Sequence, residues 1–179
     1  LIDPSGNLEH GVPMAPPEGD AGTGMTATNA IAVKTGNVSA GTSIFSMVVL
    51  ENQLSKVYEE IDMVTTPVGK PVAMVHCNNC CTDLDYWVNV FGQFASSIGV
   101  QMSKPELYGE PNAGGLVNIN YFSGEPVSHT DDGRPLFVRT QNANFNLANF
   151  IRSQMYSTMA TLKIGMEILE KENVTIDCL

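Results

Sequence analysis

The 179-residue sequence predicts a mixed α/β domain in which a sheet is flanked by long helices. Three observations carry that expectation. Short β-branched, apolar runs recur, the clearest being Ile44-Phe45-Ser46-Met47-Val48-Val49-Leu50. Two later stretches place apolar residues every third or fourth position over several turns, the mark of amphipathic helices. At 43% hydrophobic and 16% charged, the chain has enough apolar side chain for a core and too little charge for disorder. The length suits one domain.

Each element follows from local chemistry. Residues 1–18 contain Pro13, Pro16 and Pro17 and predict an extended lead-in, because proline removes helix donors. Residues 20–33 are small and mildly apolar and predict a helix opening at Asp20. Residues 36–50 predict two strands around Gly41-Thr42-Ser43. Residues 61–65 and 71–77 flank Pro67-Val68-Gly69-Lys70, a hairpin turn. Thr82 followed by Asp85 predicts a capped helix over residues 83–98, with Leu84, Trp87, Val88, Phe91, Phe94, Ala95 and Ile98 on one face. Residues 99–115 read as a loop, and 116–122 alternate as a strand does. Residues 123–143 read as a second loop turning at Asp131-Asp132-Gly133-Arg134-Pro135. The last helix is expected over 144–171, packing on the sheet through Phe145, Ala148, Ile151, Met155, Met159, Leu162, Met166 and Leu169. Val174 to Leu179 reads as the start of a strand. With no initiator Met before Leu1, both ends read as cut through a larger protein.

The formal net charge of −10 and nine dispersed basic residues argue against a surface built for nucleic acid or anionic lipid. No apolar run approaches the ~20 residues of a membrane span, and no signal peptide is visible. The cysteines Cys77, Cys80, Cys81 and Cys178 do not form a spaced disulfide framework, so a reducing, cytoplasmic setting is expected.

Two short segments carry the chemistry. Gly19-Asp20-Ala21-Gly22 sets a carboxylate among glycines, where it is placed either to take a proton from a hydroxyl or to cap the helix that follows. Gly41-Thr42-Ser43 is either an ordinary hairpin turn or a cradle that presents N–H and hydroxyl groups to phosphate oxygens. It is not a Walker A loop, and the glycines at 19, 22 and 24 do not fit the dinucleotide fingerprint. Taken together, a base and a phosphate cradle point to phosphoryl transfer from a nucleotide to a hydroxylated small molecule. A competing use of His76, Cys77, Cys80 and Cys81 is a zinc site, for which His129 and Cys178 are the distant candidates; otherwise their thiols are partly buried at a strand end. His10 and His129 read as surface residues, Glu18 as a surface charge, Asp83 as a helix cap and Trp87 as core.

The paired segments Gly19-Asp20-Ala21-Gly22 and Ser39-Ala40-Gly41-Thr42-Ser43 resemble the FGGY family of carbohydrate kinases, as does Asn120-Tyr121-Phe122-Ser123-Gly124-Glu125-Pro126. The pentulose kinases, of xylulose and L-xylulose type, look most similar. The resemblance implies the ribonuclease H-like, actin-like ATPase fold, with residues 1–179 forming part of the C-terminal kinase domain and stopping before the adenosine-binding segment. It implies Asp20 as catalytic base and sugar contact, Gly41, Thr42, Ser43 and Gly124 at the nucleotide phosphates, and magnesium ATP as donor. A small-molecule sugar and the missing N-terminal kinase domain are the implied partners, with self-association as a further expectation. The segment between Thr42 and Gly124 is long for the family. The alternative within the same fold is a non-enzymatic actin-like module that binds nucleotide or a partner chain.

Overall fold

A computed structural model of the chain describes residues 5–7, 11, 13, 19–101 and 109–179. The expected positions His10 and Glu18, and most of the lead-in, lie outside the described residues. Helix α1 spans Asp20–Ala27. Strands β1 (Gly36–Ala40), β2 (Ile44–Val49), β3 (Asp62–Thr65) and β4 (Pro71–Cys77) follow, then α2 (Thr82–Ser97). Strands β5 (Leu116–Ile119) and β6 (Leu136–Arg139) precede the long helix α3 (Leu147–Lys171).

The first four strands form one antiparallel sheet in the order β1-β2-β4-β3. A single parallel bridge between Thr35 and Cys178 sets the end of the chain beside the start of β1. Strand alternation divides the core between two faces. Ile44, Val48, Ala73, Val75 and Cys77 join Leu162 and Leu169 of α3 on one side. Met47, Val49 and Val72 pack with Met25 of α1 on the other. Among the described residues no helix is long and apolar enough to cross a membrane.

Several expectations are corrected. Helix α1 ends at Ala27 rather than near residue 33, because Asn29 takes a left-handed conformation (φ 57°) just past the Thr28 C-cap. Helix α2 starts at Thr82 itself, with Cys81 at the N-cap and no side-chain cap, so the Thr82–Asp85 box does not form. Phe94 on α2 and Ile98 at its C-cap stay 66% and 61% exposed. Strand β5 stops at Ile119, because the Asn120 side chain turns inward to donate to the Cys80 carbonyl at 2.7 Å. The stretch read as a loop over 123–143 contains a 3₁₀ turn at Pro126–Ser128 and strand β6, which pairs with β5.

The largest correction concerns α3. The expected Ile151, Leu162 and Leu169 are buried, but Met155 and Met159 are 55% and 47% exposed, and the buried face also carries Asn149, Ser153, Gln154, Ser157, Thr158 and Thr161. The hydroxyl residues Ser153, Ser157 and Thr158 are inexpensive to bury because their own helix satisfies them. Ser153, Ser157 and Thr158 each donate to the carbonyl three residues back at 2.7 Å. Asn118 of β5 supplies further partners, donating to Asp83 at 2.9 Å and to Gln154 and Ser157 at 3.0 Å. Asp83 is therefore a buried acceptor between α2 and β5, not a helix cap. Trp87 is half-buried in a cluster of rings whose centre is Phe150, 5.0 Å from it edge to face.

Candidate functional site

The hairpin turn between β1 and β2 is built from its sequence. Ala40 pairs with Ile44, which leaves Gly41, Thr42 and Ser43 as the connection. The Gly41 N–H closes on the Ser43 carbonyl at 2.8 Å. The carbonyls of Gly41 and Thr42 accept from the N–H groups of Cys81 and Cys80, both at 3.0 Å. The turn is thus pinned by its oxygens to the first residues before α2. Its outer side is different: the N–H groups of Thr42 and Ser43 have no protein acceptor among the described residues, and Gly41 and Thr42 are exposed. Paired free amides on a fixed turn are suited to an anion.

Asp20 is the first residue of α1 and is exposed. Gly19, not Asp20, occupies the N-cap, with extended backbone and no side-chain bond. Asp20 instead accepts the Ala21 N–H on Oδ1 at 2.9 Å, and Oδ2 has no partner among the described residues. Ala21 and Phe45 pack on the same core cluster, which places α1 on the sheet face that carries Phe45, next but one to Ser43. No hydrogen bond among the described residues joins Asp20 to the turn.

Gly124 lies on the far side of the β4–α2 junction. A β-carbon there would meet the Asp131 carbonyl oxygen at 2.5 Å and the Thr130 carbonyl oxygen at 2.9 Å, so glycine is required by the protein's own backbone. The Gly124 carbonyl accepts from Asn78 at 2.8 Å. Gly124 borders an open cavity of about 560 Å³ together with Asn78, Ser123, His129 and Asp131. His129 is exposed, as expected, and is held by Glu60 at 2.9 Å.

The junction residues 78–81 join the turn and Gly124, and the sequence did not single out the asparagines there. Asn79 is 4% exposed and bonds to Phe122, Ser123 and Glu125. The adjacent cysteines drew the reading toward thiol chemistry. Burial pushes the Cys77 and Cys80 thiols up to about 12, which keeps them protonated and poorly nucleophilic. Cys80 and Cys81 lie 3.4 Å apart, but Cys178 bridges to Thr35, at the opposite end of β1 from the turn they hold. Among the described residues no group of three or more His, Cys, Asp or Glu is placed to hold a metal ion.

Residues 36–179 match the model of the FGGY family of carbohydrate kinases, C-terminal domain. The fold is similar to that of the xylulose kinase from Bifidobacterium adolescentis, with a TM-score of 0.61 at 19% identity over 87% of this chain and 29% of that one. It is similar to the xylulose kinase from Rhodospirillum rubrum, with a TM-score of 0.65 at 12% identity over 89% of this chain and 32% of that one. The glycerol kinase of Plasmodium falciparum, solved with ADP, gives a TM-score of 0.64 at 12% identity over 88% of this chain and 32% of that one. The chain therefore spans about a third of the length of these structures. No curated protein sequence matches it.

Proposed function

The chain belongs to the FGGY family of carbohydrate kinases and has the ribonuclease H-like, actin-like ATPase fold of its C-terminal domain, and from that premise we propose that it forms part of a longer kinase acting on a ketopentose such as xylulose or L-xylulose. In this reading the γ-phosphoryl group of ATP passes to a sugar hydroxyl. The free Oδ2 of Asp20 takes the hydroxyl proton as the oxygen attacks. The N–H groups of Thr42 and Ser43 bind phosphate oxygens, and Gly124 borders the nucleotide from the other side. The observation that carries the proposal is the turn itself: its carbonyls are tied down at 3.0 Å while two amides remain free.

The residues fit an anionic nucleotide better than a resident metal. The free donors are neutral amides, which suit phosphate oxygens, and among the described residues there is no acidic cage. Magnesium is expected on the phosphates of ATP, where it neutralises charge; the protein contributes orientation and water exclusion. The remainder of the kinase supplies the other wall of the cleft, so the 179-residue chain by itself should not turn over.

The test is coupled ATP consumption by a polypeptide that joins this domain to the rest of the kinase, against pentuloses, hexuloses and polyols. Saturable turnover on a ketopentose is expected. Asp20→Asn should lower kcat by about 10²–10⁴-fold with little change in nucleotide affinity. Silence across the whole panel, with ATP still bound, would overturn the kinase reading in favour of a binding module.

A further inference from the structure

Glu125 is fully buried, 0% exposed, in a fold where no cation reaches it among the described residues. Its Oε2 accepts from both the backbone N–H and the Nδ2 of Asn79 at 3.1 Å, while Oε1 has no partner. A carboxyl group is an expensive way to fill space beside Val127 and Cys77, where an aliphatic side chain would cost less. Asn79 is equally committed. Its Oδ1 accepts from the N–H groups of Phe122 at 2.8 Å and Ser123 at 3.1 Å, and its Nδ2 also donates to the Ser123 carbonyl at 3.2 Å. The polar capacity of one buried side chain is thus spent on the strand of backbone that ends at Gly124.

The residues that follow Asn79 face the other way. Cys80 and Cys81 donate to Thr42 and Gly41, and the Cys80 carbonyl is held by Asn120 at 2.7 Å. Four consecutive residues therefore bind the Gly124 segment with side chains and the Gly41–Ser43 turn with main chain. Neither loop can shift far without breaking bonds that the other depends on.

We propose that Asn79 and Glu125 are positioning residues that lock the Gly41–Ser43 turn and the Phe122–Gly124 backbone into one unit, so that the two loops meet a nucleotide in fixed register. The tie between the loops stands on hydrogen bonds alone; its consequence for nucleotide rests on the kinase reading above. The two parts are tested by different readouts.

Hydrogen exchange resolves the tie without reference to activity. In Asn79→Ala, the hydrogen-bonded amides of Gly41, Cys80 and Cys81, which close and pin the turn, and those of Phe122 and Ser123 should exchange at least about tenfold faster, a loss of the size of one or two hydrogen bonds. The Pro67–Lys70 hairpin, which makes no contact with this network, should stay unchanged and serves as internal control. Glu125→Gln keeps an oxygen for Asn79 and should behave nearly as the parent, whereas Glu125→Leu should resemble Asn79→Ala. If Asn79→Ala does not fold, Asn78→Ala replaces it: this exposed residue makes one bond to Gly124, and its loss should loosen both loops by a smaller factor. Faster exchange confined to Phe122 and Ser123, with Gly41, Cys80 and Cys81 unaffected, would overturn the proposal. In the longer kinase the same variants should raise KM for MgATP about tenfold while leaving KM for sugar in place. Loops that loosen together with no change in nucleotide affinity would uphold the tie and count against the phosphate role of the turn.

Discussion

Gly165 offers a test of how α3 is seated. A β-carbon at this position would lie 2.2 Å from Cγ1 and 3.1 Å from Cγ2 of Val75, a fully buried residue in the middle of β4. Intrinsic propensity alone favours alanine over glycine in a helix by about 0.8–1 kcal/mol. Against that, contact at 2.2 Å demands that helix or sheet give way by more than an ångström, since carbon atoms rest at about 3.5–4 Å. Overpacking of a filled core costs about 1–3 kcal/mol, and a collision this close belongs at the upper end. Gly165→Ala should therefore destabilise the protein by about 2 kcal/mol net. At about 2–4 °C per kcal/mol for a chain of this size, Tm should fall by roughly 4–8 °C. The assay is urea and thermal unfolding followed by circular dichroism. Val75→Ala alone should also destabilise, by about 2 kcal/mol, through the cavity it leaves. The double variant should lose about 1–2 kcal/mol less than the sum, because the new methyl group enters the vacated space. Strict additivity, or a Gly165→Ala protein more stable than the parent, would refute the close approach of α3 to β4.

Two further outcomes follow from titratable groups. Hydrogen bonds from the Ser55 side chain, the Tyr58 hydroxyl and the Ser55 N–H hold the Glu172 carboxyl at about 2, below its ordinary 4.5. A depressed carboxyl contributes stability above its unfolded pKa and loses it as pH falls through the folded one. Glu172→Gln should therefore lie below the parent in Tm at pH 6, the gap closing as pH drops from 4.5 toward 2; a gap that stays constant over that range would refute the clamp. The same bond raises Tyr58 above 10, so its share is complete below pH 10 and lost beyond it. Thiol titration with an aromatic disulfide at pH 8 should label exposed Cys178 first and half-buried Cys81 slowly, while Cys77 and Cys80 react only on unfolding. Four thiols reacting together in the native protein would contradict that burial.

The strands were legible because their signal is local. Ile44 to Val49 alternates between two covered faces, so nearly every position is apolar, and a glycine-containing turn stands at each end that needs one. Helix α3 was legible as a helix, and Ile151, Leu162 and Leu169 of its expected stripe are buried, but Met155 and Met159 face out. Met155 and Met159 look like part of the inward face on hydrophobicity alone. For these two residues the tertiary context decides otherwise: Asn118 of β5 and Tyr121, just past its end, meet the helix, and Tyr121 bonds Thr161 at 2.9 Å. A polar partner across the interface, distant in sequence, decides which face turns in. Strand β6 escaped for a related reason. Its apolar residues Leu136 and Val138 are 52% and 43% exposed, so it lacks the buried alternation that marks β2, and the Asp-Asp-Gly-Arg-Pro turn before it dominates the segment.

The same distinction separates the two halves of the proposed site. Gly41-Thr42-Ser43 and Asp20 stand out because residue type and neighbours suffice to suggest what they offer: free amides at a tight turn, a carboxyl at a helix start. What holds the turn in place does not show in the same way. Asn79 has no periodicity and sits in a cysteine-rich stretch that suggests other chemistry, yet its bonds reach across more than forty residues to Ser123 and Glu125. Glu125 lies in the segment Asn120 to Pro126 that resembles the family, but its complete burial does not show in the sequence. Groups that face a ligand are constrained by chemistry that a short motif records. Groups that position them are constrained by distance and burial, which appear only once the chain is folded. A turn with free amides but no Asn79 and Glu125 behind it would still match the motif, and nothing would fix its register to Gly124.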